Sequence, residues 1–266
     1  MQINNTRALV TGASRGLGRS IAADLAKRGV DVALVARGSG KLTAAAADVG
    51  GKAYPCDLGD ADAVAALLGR VEADGGPIDI LINNAGIDNV GLYTDATAAE
   101  VRNLMQVNLL SPMELCRQAL PAMIGRGRGH VVNVSSMAAV STSPGVTLYA
   151  TSKAGLSHFT AGIRMEANGT GVGTTLVQIG NVKTDMIDNI NSFAPARRAV
   201  ERAAKLHLLP KEDLEPDFVA AAISEAIIKG KERVTLPKSL SATIMMVEAP
   251  RKMSETMLRG LDLRST

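Results

Sequence analysis

From residue 7 to about residue 236, short runs rich in β-branched residues alternate with longer stretches whose apolar positions recur every three or four residues. Few architectures accommodate that alternation. Strands buried on both faces read as continuous apolar runs, and parallel neighbours need a crossover that is usually helical, so the pattern predicts an α/β fold with a parallel sheet covered on both faces. Strands are predicted at 8–10, 30–35, 53–54, 78–82, 131–134, 174–178 and 233–236, seven in all. Leu17, Ile21 and Leu25, followed by Gly29 as a stop signal, mark the first helix. Further helices are expected at about 41–49, 61–73, 97–125, 148–168 and 215–229, with a kink near Pro112 and an end near Pro121.

Two stretches break the rhythm. Residues 186–214, polar and basic around Ala194-Pro195, read as a mobile lid. The tail, 237–266, carries Leu240, Ile244 and Val247 before Pro250 and Met253, Met257 and Leu261 after it, which predicts two short amphipathic helices. With 266 residues, 46% hydrophobic and 21% charged, the chain fits one globular domain over 1–266. Its formal charge of +3 is dispersed and aromatics make up 2%, so neither a basic stripe for nucleic acid nor a base-stacking platform is expected. Cys56 and Cys116 stand in separate segments without metal-ligand spacing and read as reduced, buried thiols. His130, His158 and His207 are likewise scattered, and no metal site is expected. The N-terminus lacks a signal-peptide layout and no apolar run reaches membrane-span length, so the expected location is cytoplasmic, without integral membrane association.

Residues 11–18 read T-G-A-S-R-G-L-G between the first strand and the first helix. Gly12, Gly16 and Gly18 permit a tight turn and a close backbone approach to a pyrophosphate. The helix N-terminus beyond supplies unpaired N–H groups and the positive end of a dipole. After the second strand, the place of an acid that would bond a ribose 2′-hydroxyl is taken by Ala36-Arg37. Arg37 and Arg15 together suit the extra phosphate of NADP(H) over NAD(H).

Tyr149 and Lys153 stand four apart at the start of a helix and so share a face. An ammonium about 4 Å from a phenol, at an effective dielectric near 20, favours the phenolate by about 4 kcal/mol. That is roughly three pKa units, enough to bring a phenol toward neutrality and let it exchange a proton with a carbonyl or an alcohol. Ser135 and Ser136 end the fifth strand, at the edge that faces the ligand crevice in an open α/β sheet. One hydroxyl of that pair is placed to hold the reacting oxygen.

Taken together, T-G-A-S-R-G-L-G at 11–18, N-N-A-G at 83–86, Asn108, Ser136 and Y-A-T-S-K at 149–153 resemble the short-chain dehydrogenase/reductase family over about residues 6–236. The resemblance implies a single Rossmann-type, doubly wound domain with seven parallel strands, and hydride transfer at a carbonyl or carbinol carbon. It implies that Tyr149 is the acid/base, that Lys153 assists it and binds the nicotinamide ribose, that Ser136 holds the substrate oxygen, and that Asn108 organises a helix and a path to Lys153. For the cofactor it adds Ser14 and Leu17 in the glycine loop, and Asp57 and Leu58 near the adenine. Asn83, Ala85 and Gly86 follow along the nucleotide, with Gly180, Val182 and Thr184 near the nicotinamide amide. Read locally, Asp57 serves equally as an N-cap for the helix from Ala61. One departure stands out: Ile179-Gly180-Asn181 replaces the family's Pro-Gly, which predicts a looser turn or a reshaped substrate wall.

The expectation is therefore an NADP(H)-dependent reductase or dehydrogenase acting on a carbonyl or secondary alcohol. Met186, Ile187, Ile190, Phe193, Leu206 and Leu208 of the lid favour a lipophilic substrate. A 3-oxoacyl-thioester reductase is the alternative within the family, and a non-catalytic NADPH-sensing module the alternative outside it. The resemblance also implies a homodimer or homotetramer, built on the helices around 97–125 and 148–168.

Overall fold

The computed structural model describes residues 1–38, 40–141, 143–183, 193–205 and 213–257. Its strands are β1 (Arg7–Thr11), β2 (Asp31–Ala36), β3 (Lys52–Pro55), β4 (Ile80–Asn83), β5 (Gly129–Ser136), β6 (Val172–Ile179) and β7 (Arg233–Leu236). They form one parallel sheet in the order β3-β2-β1-β4-β5-β6-β7. The helices are α1 (Gly16–Lys27), α2 (Gly40–Val49), α3 (Ala61–Gly75), α4 (Ala98–Met105), α5 (Ser111–Gly125), α6 (Thr147–Glu166), α7 (Ala194–Lys205), α8 (Pro216–Ile228) and α9 (Ser241–Met257).

Side chains alternate across the strands, and each face buries its own core. Ala8, Val10, Ile80 and Ile82 pack with Leu17, Ile21 and Leu25 of α1 and Val219 and Ile223 of α8 on one side. Leu9, Leu81 and Val131 pack with Val64 and Leu67 of α3 and Leu115 and Met123 of α5 on the other. The order reverses at β1, which lies between β2 and β4, so the C-terminal ends of β1 and β4 flank the crevice where doubly wound sheets bind ligands.

Of the two prolines of the long helical stretch, Pro121 acts differently from expectation. A π-helical turn over Gln106–Leu110 joins α4 to α5 in one unbroken helical run and ends just before Ser111-Pro112, so the regular helix is distorted where the kink was expected. Pro121 does not end α5, which runs on to Gly125. Pro121 and Arg117 both lie on the exposed face, so the carbonyl deprived of its amide partner sits on the solvent side of the helix.

Pro250 is tolerated in the same way. It is exposed, and the tail forms one continuous helix, α9, in place of two. Ile179, where the family has proline, extends β6 by pairing with Ser136 and Leu236. The following turn is pinned by Gly180 N–H to Leu236 O (2.8 Å) and Leu214 N–H to Asn181 O (2.8 Å), so it is not loosened at these contacts.

Candidate active site

The β1–α1 turn is built for close backbone approach. Gly12 and Gly16 adopt φ of 69° and 52°, which disfavours any side chain there. A Cβ on Gly18 would lie 2.2 Å from the Gly12 carbonyl oxygen, and one on Gly12 would lie 2.9 Å from the Ala85 Cα. Thr11 Oγ1 ties the turn to the end of β4 by accepting from the amides of Asn84 (3.0 Å) and Ala85 (3.1 Å), and Asn84 Nδ2 donates to Thr11 O (3.0 Å). Arg15 is the N-cap of α1, makes no side-chain capping bond, and no acid stands in the first turn. The leading amides of α1 are thus not capped by their own side chains, and together with the glycine cradle they fit a pyrophosphate. Ser14 is partly buried within this turn, while the Leu17 side chain enters the core beneath it.

Beyond β2 and β3 lies a cavity of about 580 Å³ lined by Arg37, Gly38, Pro55, Cys56, Asp57 and Arg70, among others. It has the position and chemistry for the adenosine end of a dinucleotide, with Arg37 exposed at its wall. Arg70, from α3, is a second cation there that sequence spacing did not single out. Asp57 accepts from the Gly59 amide (2.9 Å), and the N-cap of α3 is Asp60, which accepts from Asp62 and Ala63. Leu58 keeps its side chain in the core.

Asn83 also turns inward, donating to Asn133 Oδ1 at 2.8 Å, so the residue that clasps the glycine turn is Asn84. Ala85 and Gly86 follow it along the crevice. A Cβ on Gly86 would lie 3.4 Å from Lys153 Nζ and 3.5 Å from Asn108 Oδ1, which brings those two side chains to one place. Val182 is buried and bridges to Leu214. Thr184, most of the predicted lid (186–192 and 206–212), His207 and Leu261 lie outside the described residues. The described middle of that lid segment is α7, preceded by Phe193.

Tyr149 stands in the first turn of α6, opposite the end of β5. Parity along β5 separates the two serines. Ser135 Oγ donates to Lys153 O (3.0 Å) and shares a hydrogen bond with Ser157, inside the protein. Ser136 faces the other way, its Oγ accepting from the Ala138 amide (3.1 Å), and it lies near enough to Tyr149 to act on the phenol. Lys153, one turn after Tyr149, is buried with Nζ donating to Val134 O at 2.9 Å and 5.8 Å from the centre of the Tyr149 ring.

Asn108 is fully buried at the π turn between α4 and α5. Its Oδ1 accepts from Ile87 N–H (2.8 Å), and its Nδ2 donates to Ile87 O (2.8 Å) and Ser152 Oγ (3.1 Å). The wider π turn presents this amide sideways to the strand β4 exit, a use to which π turns are often put at functional sites.

The electrostatics differ from the simple pair estimate. In the folded chain burial pushes the Tyr149 phenol above its ordinary value; the Ser136 hydroxyl opposes this and Asp88 adds to it. Burial also pulls Lys153 down to about 8. Lys153 Nζ is turned to Val134 O and stands 5.8 Å from the ring centre, farther than the roughly 4 Å of the simple pair, so burial sets the direction of the Tyr149 shift.

Asp88 is a site residue that sequence reasoning missed. It follows Ile87, the residue clamped by Asn108, and its Oδ2 is buried without a hydrogen-bond partner. The signal was its place two residues after N-N-A-G. His130 is buried against Thr175 (2.7 Å) and His158 is exposed, and no cluster among the described residues could hold a metal. Cys56 and Cys116 are buried free thiols.

A glycine turn over a helix N-terminus, an arginine-lined cavity beyond β2 and β3, and a Ser-Tyr-Lys-Asn group at the strand ends define a dinucleotide-dependent oxidoreductase class. A family model described as short chain dehydrogenase matches residues 6–195, and the chain belongs to that family. It is 40% identical over 193 residues to the ketoacyl reductase HetN of Nostoc, covering 70% of this chain and 67% of that one. It is 34% identical over 237 residues to the probable oxidoreductase EphD of Mycobacterium tuberculosis; 85% of this chain matches, but only 40% of EphD's length. A metagenomic short-chain oxidoreductase solved with NADP shares 31% identity at a TM-score of 0.72, covering 89% of this chain and 98% of the other. No helix among the described residues is long and apolar enough to cross a membrane.

Proposed function

We propose that the chain is an NADP(H)-dependent carbonyl reductase or alcohol dehydrogenase, with a single catalytic domain over 1–266 and a lid at 186–214 that favours lipophilic substrates. The observation that carries this reading is the convergence of Ser136, Tyr149, Lys153 and Asn108 at the C-terminal edge of the sheet, beside the glycine turn. When bound, the nicotinamide supplies or accepts the hydride. The chain's residues do the rest. Ser136 and Tyr149 hold the substrate oxygen, and Tyr149 passes its hydroxyl proton to that oxygen in reduction or takes one in oxidation. Lys153 lies against the Tyr149 ring and supplies the nearby positive charge. Asn108 fixes Ile87, and with it the backbone of the N-N-A-G exit.

Arg37 and Arg15 are assigned to the 2′-phosphate of NADP(H), with Gly12, Ser14, Gly16, Leu17 and Gly18 forming the pyrophosphate turn. Asp57 and Leu58 border the adenine. Asn83, by its backbone alone, and Ala85 and Gly86 are assigned to the nucleotide path, and Gly180, Val182 and Thr184 to the nicotinamide end. The NADP-bound relative supports this cofactor, and the ketoacyl reductase relative keeps a 3-oxoacyl thioester among the candidate substrates. A cytoplasmic homo-oligomer built on α4–α6 belongs to the same proposal. The test is NADPH oxidation measured against ketones, aldehydes and 3-oxoacyl thioesters of graded length. Tight NADPH binding with no turnover on any of them would favour a cofactor-sensing module instead.

A further inference from the structure

The helix α9 packs on the protein with its charged row inward. Ile244, Glu248, Arg251 and Glu255, spaced by four, three and four, form the face against the body, and Glu248 and Glu255 are 2% and 5% exposed. Glu248 accepts from Gln178 Nε2 (2.9 Å) and Arg251 Nη2 (2.6 Å) and also pairs with Arg233. Glu255 pairs with Arg164 (3.2 Å) and Arg233 (3.4 Å).

The outward face is apolar: Met245, Met246, Val247, Met253 and Met257 are 63%, 80%, 56%, 63% and 78% exposed. This inverts the usual amphipathic arrangement of a surface helix. Half a turn of rotation would bury the methionines and return both carboxylates to water, sparing the cost of desolvating ion pairs. The arginines of β7 and α6 instead hold the acids in and the methionines out.

We infer that α9 is a docking face for an anionic phospholipid surface, with its axis in the membrane plane. The charge distribution favours this occupant. Both acids of the helix are withdrawn into the body, and the charged side chains that stay exposed from residue 230 through α9 are Lys231, Lys238 and Lys252, all cations. At about 1.5 Å per residue the helix is roughly 25 Å long and lies in the interface; it does not span the bilayer. A second copy of the chain is the weaker occupant, because five apolar side chains on one helix fall far short of the roughly 20–30 residues per side of a stable dimer interface.

The test is sedimentation of the full chain with phosphatidylcholine vesicles, with and without phosphatidylglycerol, for wild type, Lys252→Glu and the double variant Met246→Glu/Met253→Glu. Both methionines are solvent-exposed, so the double variant keeps its thermal melt and NADPH binding, which are measured alongside. The wild type is expected to sediment with the anionic vesicles and to be released by salt. The double variant loses partition by about tenfold or more, and Lys252→Glu by a smaller factor. Wild type left in the supernatant, equal partition into neutral and anionic vesicles, or unchanged binding of the double variant would each overturn the inference. So would a lipid-free dimer, seen by light scattering, that Met246→Glu/Met253→Glu dissolves.

Discussion

Asn108→Ala removes the side chain that bonds both backbone groups of Ile87. In the native chain Oδ1 accepts from Ile87 N–H and Nδ2 donates to Ile87 O, each at 2.8 Å, with a third bond to Ser152. A buried backbone group left unpaired costs about 1–3 kcal/mol. Ile87 is half-buried, so water recovers part of this, and the net loss is expected at about 1.5–3 kcal/mol. That corresponds to a fall in Tm of roughly 3–6 °C for a chain of this size.

Because Gly86 and Asp88 flank Ile87, the loosened segment also misplaces groups around Lys153 and Tyr149. Turnover should fall by about 10², while NADPH affinity, which depends on the glycine turn, holds within about twofold. Urea denaturation, amide exchange at Ile87 and steady-state kinetics read the three effects separately. An unfolding free energy unchanged to within about 0.5 kcal/mol, with the Ile87 amide still protected, would refute the reasoning.

Arg37→Ala should weaken NADPH about tenfold or more and leave NADH nearly unchanged, since one charge-assisted bond to phosphate is worth about 1.5–3 kcal/mol; equal changes in the two dissociation constants would count against the clamp. Gly18→Ala places a Cβ 2.2 Å from the Gly12 carbonyl oxygen, so the turn must open and NADPH affinity should drop by over an order of magnitude, as titrated by fluorescence. Asp88→Asn removes a negative charge that raises the Tyr149 pKa. Reduction needs the protonated phenol and declines as pH rises through that pKa, so in the variant the decline should move to lower pH; a shift to higher pH would reverse the assigned sign.

The seven parallel strands and the two helical layers were legible because buried parallel strands leave apolar runs that little else produces. Prolines 121 and 250 were misread for a local reason: their cost depends on whether the freed carbonyl meets water, and both sit on exposed helix faces. Spacing identified Tyr149 with Lys153, but not the sign of the Tyr149 shift, which burial decides. Nor could it show that Asn83 faces the interior while Asn84 clasps Thr11. The orientation of α9 was hidden most deeply. Its inward acids are fixed by Arg233 and by Arg164, 91 positions before Glu255, and no local periodicity registers partners that distant.

The central claim, that Tyr149 exchanges a proton with a substrate oxygen while a hydride crosses to or from NADP(H), is tested most directly by one comparison. NADPH oxidation is followed for wild type and Tyr149→Phe over a panel of carbonyl substrates, with NADPH affinity titrated for both. The account predicts turnover in wild type, a loss of about 10²–10⁴ in kcat for the variant, and matched dissociation constants. Equal turnover by Tyr149→Phe on a substrate that wild type reduces would contradict it.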